Sequence, residues 1–229
     1  MVSENRWQPF VSTGKIGEMA SKKARPAKKR RYHHGDLREA LLLEGTRSVE
    51  REGHPVLSLR DVARRVGVTH TAAYHHFPTR ESLLLAVAAR AFESMGRVLS
   101  AAAAGVIDPT ERLGRIGEAY VDHACSRPEL YRLIFSAETA DRDASPELNA
   151  ASNAMFATLI DAVRACQEVG TLRQAPPAEL GLVAWCAVHG LSSLLLEEQL
   201  HKPGLAQLSR QQLTGAVLGG IFQGLTAQR

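Results

Sequence analysis

Apolar side chains recur at three- and four-residue steps along the chain from residue 36 onward, and before that point they do not. Leu37, Leu41, Gly45 and Val49 fall at four-residue spacing, the step that stacks side chains on one face of an α-helix. Asp36 stands at the position of an N-cap, and Gly53 with His54–Pro55 closes the run. Ser58 predicts a cap for a short helix over 59–66, with Asp61 in the first turn where the helix dipole favours an acid. Gly67 sits where a left-handed residue ends such a helix. Thr69 then caps a second short helix over 70–77, and Pro78 stops it. Thr79 caps an Ala- and Leu-rich stretch over 82–103. Beyond a linker at 105–109, helices are predicted over 110–126, 128–136, 146–169, 176–201 and 205–227, with a polar loop at 137–145. No segment reads as a strand and no internal repeat is visible. The expected fold is all-α, with about nine helices.

Composition sharpens that picture. Of the 229 residues, 45% are apolar but only 5% aromatic, enough for a packed helical core. No apolar run reaches the ~18 residues of a membrane span, and the first twenty residues lack a secretory apolar core. Cys125, Cys166 and Cys186 are odd in number and far apart, which suits neither a disulfide framework nor a metal-ligand spacing. The expected compartment is the cytoplasm, with no membrane partner, no metal and no cofactor.

The net charge of +4 is unevenly spread. Residues 1–31 hold nine Lys/Arg against two acids, residues 32–80 seven against six, and residues 81–229 twelve against sixteen. A basic flexible arm (1–31), a near-neutral head (32–80) and a mildly acidic body (81–229) place a polyanion at one end of the molecule. A basic tail that serves only solubility is the alternative.

Two helices of about eight residues joined at Gly67 form the core of a helix-turn-helix. Ala63 is small where the helices cross, Val62, Val66 and Val68 supply the seam, and Ala73 and Phe77 seat the second helix on it. With those inward, His70, Thr71, Tyr74 and His75 face outward, a polar set suited to base edges and phosphates.

The run LSLRDVARRVGVTHTAAYHHFPTRESLL, preceded by YHHGDLREALL, resembles the DNA-binding signature of the TetR (tetracycline-repressor) family across residues 32–90. The resemblance implies that Thr69, His70, Thr71 and Ala72 face bases and that Tyr74 and His75 meet phosphates. It also implies that Arg80 clamps the DNA backbone from the start of the fourth helix, and that Ser58 with Arg60 contacts a phosphate. His70 departs from the Lys, Arg or Pro frequent there, so the operator sequence is not inferable. Six of the nine histidines lie between His33 and His76. Metal binding or pH sensing is one reading and polar DNA contact the other; His75 and His76 point to different helix faces, which favours the second.

In the body, Trp185, His189 and Gly190 resemble the Trp-His-Gly motif of a TetR C-terminal subfamily. At i, i+4 spacing Trp185 and His189 share a face, as ligand contacts or as a core Trp beside a hydrogen-bonded His. Tyr120, His123, Cys125, Tyr131, Phe135, Met155, Phe156, Leu159, Trp185 and His189 could line a pocket for an unidentified small-molecule effector, or could be core. The last two helices, about 178–201 and 205–227, are rich in Leu and Val, and the final one carries Gly215, Gly219, Gly220 and Gly224. Each glycine costs a helix ~1 kcal/mol against Ala, so close packing against that backbone is expected, as in a homodimer interface. A buried last helix within one chain is the alternative. The resemblance implies a homodimeric, ligand-released repressor on a palindromic double-stranded DNA operator, and activation is a variant of it. Catalysis from Asp122, His123 and Cys125, or from Cys186 and His189, lacks an orienting third group. A non-specific architectural binder and a thiol redox sensor are the remaining alternatives.

Overall fold

The computed structural model describes residues 34–141 and 145–226; the basic arm expected at 1–31 lies outside them. The first helix, α1 (His34–Glu52), begins two residues before the expected cap. Asp36 is therefore not an N-cap but a first-turn acid, where it meets the positive end of the dipole instead. Leu41 and Val49 are fully buried, and Leu37, Leu42 and Gly45 are buried beside them.

Ser58 caps α2 (Leu59–Val66) by accepting from the Asp61 amide at 3.3 Å. Gly67 ends it at φ +82°, donating its amide to the Ala63 and Arg64 carbonyls. That left-handed conformation strains any residue with a Cβ. Thr69 caps α3 (His70–His76), accepting from the Ala72 amide at 3.2 Å. The helix stops one residue short of the expected end, because a residue before proline avoids helical angles and Phe77 is extended at φ −132°. Val62, Ala63, Ala73 and Phe77 are buried and Val66 and Val68 pack at their edge.

Thr79 and Ser82 form a reciprocal capping box, so α4 (Arg80–Ala103) starts two residues earlier than the composition suggested. Its 24 residues span about 36 Å at 1.5 Å per residue, which carries one continuous helix from the head into the body. There it packs chiefly on α7 (Pro146–Glu168) and α5 (Pro109–Ser126). Between those two lie α6 (Pro128–Ile134) and, within the expected polar loop, a single 3-10 turn at Ala137–Thr139. Thr139 is buried there and donates to the Leu133 carbonyl at 2.8 Å.

Two boundaries in the body fall five residues from their predicted positions. The eighth helix, α8 (Pro177–Leu196), ends five residues short of 201, where Glu198 turns to φ +51°. The last, α9 (Arg210–Leu225), begins five residues after 205. Ser209 and Gln212 cap each other reciprocally, and that pair, not the apolar Leu205 and Leu208 before it, sets the start. No strand occurs among the described residues; one isolated bridge, Leu172 to Thr226, ties the end of α9 to the α7–α8 connection. A single apolar cluster runs from Leu41 and Phe77 in the head through Phe92 to Tyr120 and Leu180 in the body.

Candidate functional site

At the head, packing leaves one side of α3 bare. Thr69, His70, Thr71, Tyr74 and His75 are exposed, whereas Ala72 is half-buried against the core. Arg60 is exposed on α2, and Ser58 is half-buried with its hydroxyl engaged in the cap. Arg64, which the sequence reading passed over, is also exposed on α2 and donates to Asp61 at 2.9 Å. That hydrogen bond, with a second from Ser58, holds the Asp61 carboxyl below the usual carboxylate range.

Arg80 points inward as much as outward. Its guanidinium donates to the carbonyls of His54 at 2.7 Å, Leu57 at 3.0 Å and Pro55 at 3.3 Å. It thus fastens the α1–α2 connection to the start of α4, a structural duty that the resemblance did not suggest. Arg38 lies over the Phe77 ring at 5.2 Å, adding a cation–π contact to the buried anchor of α3. Head and body are also joined by an ion pair between Glu50 on α1 and Arg127 before α6, at 2.5 Å.

In the body, α5, α6 and α8 bring four polar groups together inside an aromatic cluster. The Trp185 indole donates to the Tyr120 hydroxyl at 3.2 Å. His189 Nδ1 lies 3.1 Å from the Tyr120 hydroxyl and 2.7 Å from that of Tyr131. An imidazole nitrogen has one lone pair, and Tyr131 has a second acceptor in the His189 carbonyl at 3.3 Å. Burial pushes His189 below the usual histidine range, which favours the neutral ring. Burial pushes both tyrosines up, which keeps each hydroxyl protonated. Phe135 meets the His189 ring edge-on at 4.5 Å, and Phe156 meets Trp185 at 5.9 Å.

Beside this cluster lies a cavity of about 40 Å³. Of the expected pocket residues, Tyr120, Met155, Phe156, Leu159 and Trp185 line it; Tyr131, Phe135 and His189 stand behind them in the aromatic cluster. His123 does not line it. The cavity follows α5 from Leu113 to Tyr120, and His123 sits on the next turn, beyond its end. Cys125 is likewise outside the lining. Four wall residues come from α9: Leu218, Ile221, Phe222 and Leu225. The sequence suggested an interface for α9, with a buried last helix as the alternative, and these four were not among the expected pocket residues. One signal was available: Gly117 interrupts an otherwise apolar face of α5, and a Cβ there would lie 2.6 Å from Leu218.

The outer faces of α8 and α9 are open. Gly215, Gly219, Gly220 and Gly224 are exposed, and a Cβ on any of them would meet nothing within 4 Å. The glycine row is therefore not explained by packing among the described residues. The apolar residues expected to join it face the other way: Leu213 and Leu225 are buried, and Val217, Leu218 and Ile221 pack on the core. On α8, Leu182, Val183 and Leu194 are exposed, as is Cys186. By length and composition α8 could cross a membrane. Here it packs on α5, α7 and α9, burying Leu180, Val188 and Leu191.

In the Asp122, His123 and Cys125 set, two of the three groups are unsuited to catalysis. Asp122 is paired with Arg210 at 2.9 Å, and burial pushes the Cys125 thiol up, away from the reactive thiolate. Among the described residues, no group of three or more His, Cys, Asp or Glu side chains is placed to hold a metal.

Comparison with known proteins agrees with this arrangement. Residues 41–87 match the family model of bacterial regulatory proteins of the tetR family, and residues 113–216 match a tetracycline-repressor-like C-terminal domain. Two uncharacterized HTH-type transcriptional regulators of Mycobacterium tuberculosis are 29% identical over 117 residues. That match covers 50% of this chain, and the chain spans only 50% of those relatives' length. A protein of unknown function from Rhodococcus sp. RHA1 superposes with a TM-score of 0.76 at 28% identity, covering 87% of this chain and 100% of that one. A TetR family regulator from Marinobacter aquaeolei VT8 shares the fold, with a TM-score of 0.62 at 20% identity over 83% of this chain and 96% of that one. The matched families and the Marinobacter neighbour are described as regulators, not enzymes.

Proposed function

Since the chain belongs to the TetR family of bacterial regulatory proteins, we propose that it is a sequence-specific DNA-binding transcriptional repressor. It works as a homodimer and is released from a palindromic operator by a small molecule held in the body. The observation that carries this reading is the bare polar side of α3, with Thr69, His70, Thr71, Tyr74 and His75 exposed on a helix whose opposite side is locked by Ala73 and Phe77. Such a helix, fixed behind and polar in front, fits a major groove. Support for a dimer comes from the packed pair α8 and α9, which exposes a glycine row on α9 and Leu182, Val183 and Leu194 on α8. A second copy covering that face places two recognition helices about one helical turn apart. The three units suggested by charge (1–31, 32–80 and 81–229) then act as DNA-directed arm, reader, and sensing and dimerising body, in a cytoplasmic protein. Sedimentation equilibrium tests the assembly: wild type is expected to be a dimer and Gly220→Arg a folded monomer with weakened DNA binding. A monomeric wild type that binds DNA equally well overturns the proposal.

A further inference from the structure

The cavity's own chemistry restricts what can enter it. Among the described residues no charged side chain lines it, so an ion placed there would lose its hydration with no partner. Its polar groups are already spoken for: the Trp185 indole donates to Tyr120, and Tyr120 turns to His189. The lining follows α5 from Leu113 to Tyr120 and α9 from Leu218 to Leu225. Seven residues at 1.5 Å rise are about 10 Å, roughly eight bonds of extended chain at about 3.8 Å per three bonds.

The space present, about 40 Å³, is far below the ~300 Å³ at which small-molecule sites begin. The wall that can give is α9. Leu218 fills the notch at Gly117, where a Cβ would lie 2.6 Å away, and Leu218, Ile221 and Phe222 are only half-buried. Behind them the glycine face of α9 meets nothing among the described residues. We infer that the cavity is a closed binding site for an uncharged, slender apolar molecule about eight carbons long with a single hydroxyl or carbonyl end. The chain enters by displacing Leu218 from Gly117, and the polar end exchanges into the Trp185–Tyr120–His189 hydrogen bonds. Because α9 is also the helix whose outer face the proposed dimer covers, filling the cavity shifts the interface directly. That last step rests on the dimer reading; binding itself does not.

The full chain has two tryptophans, Trp7 and Trp185, so Trp7→Phe leaves Trp185 as the sole fluorophore in the cavity wall. In that background, titration compares 1-octanol, octanoate and octyltrimethylammonium at matched chain length. Octanol is expected to shift Trp185 emission saturably, with both charged chains at least tenfold weaker. Ala184→Leu, which fills the wall from α8 with a good helix former, is expected to abolish the shift with the far-ultraviolet circular dichroism unchanged. Should Ala184→Leu prove unfolded, Leu159→Phe is the second filling variant. No saturable octanol response, equal binding of a charged chain, or undiminished binding by the folded filled variant overturns the inference. Sedimentation with and without octanol then reads the coupling. Octanol binding with an unchanged dimer constant and unchanged DNA affinity leaves the ligand class standing and refutes effector control through α9.

Discussion

Arg80→Ala separates two roles that the residue could hold. The family resemblance makes Arg80 a clamp on the DNA backbone, whereas the structure gives its guanidinium three carbonyls of the α1–α2 connection. A hydrogen bond from a charged donor is worth ~1.5–3 kcal/mol when well shielded. Two of the three are part-buried, at 2.7 and 3.0 Å, and the third is exposed at 3.3 Å. The side chain is 31% exposed, so solvent screening brings each part-buried bond down to about 1–1.5 kcal/mol and the exposed one to near zero. Removing the side chain is then expected to cost about 2–3 kcal/mol. For a unit of this size, 1 kcal/mol moves the melting temperature by about 2–4 °C, so a fall of roughly 4–12 °C is anticipated. Chemical denaturation with matched m-values gives the free energy and calorimetry the midpoint. Arg80→Lys keeps the charge but loses the planar fork and should recover less than half of the loss. A loss under about 0.5 kcal/mol, accompanied by weakened DNA binding, would refute the structural role and leave only the phosphate clamp.

Other consequences are measurable in the same way. Thr69→Ala removes the acceptor for the Ala72 amide and should destabilise the head by ~1 kcal/mol; Thr69→Asp should retain the cap, and equal loss in both would contradict a capping role. His189 and His123 are both held below their ordinary value by burial. Between the lowered folded value and about 6.5 the unfolded chain binds more protons, so stability rises with pH there and is lost on acidification below about 6.5. His189→Gln should flatten part of that slope, and a pH–stability curve unchanged by it would argue against a neutral buried imidazole. Tyr131→Phe removes a 2.7 Å hydrogen bond to His189 and should cost about 1 kcal/mol, read by denaturation; no loss would mean that Tyr120 alone satisfies Nδ1.

The head was legible in the sequence because its determinants are local. Ser58, Gly67, Thr69 and Thr79 each act within three or four residues of themselves, so their spacing carries the structure. Asp36 misled because an acid serves as well in the first turn as at the cap. In the body the determinants are distant. Leu218 and Gly117 are a hundred residues apart in sequence, and nothing local says that one fills the notch left by the other. The glycines of α9 led to the expectation of a close-packing face, and among the described residues nothing packs on them; periodicity alone could not say that Val217, Leu218 and Ile221 pack on the core, the last two walling a cavity. Tyr120, Tyr131 and His189 converge from three helices, and their hydrogen bonds depend on packing that no single stretch encodes. His123 shows the reverse error: it shares a helix with Tyr120 but sits one turn past the cavity's end.

The account's central claim is that α3 reads DNA sequence in a symmetric pair. Selection of the full-length protein against random-sequence duplex, followed by sequencing of the bound pool, tests it most directly. The prediction is an enriched inverted repeat with half-site centres about one helical turn apart, its preference at specific bases lost in Thr71→Ala and retained when residues 1–31 are deleted. An unenriched pool, an asymmetric motif, or a preference that vanishes with the arm and survives Thr71→Ala would contradict it.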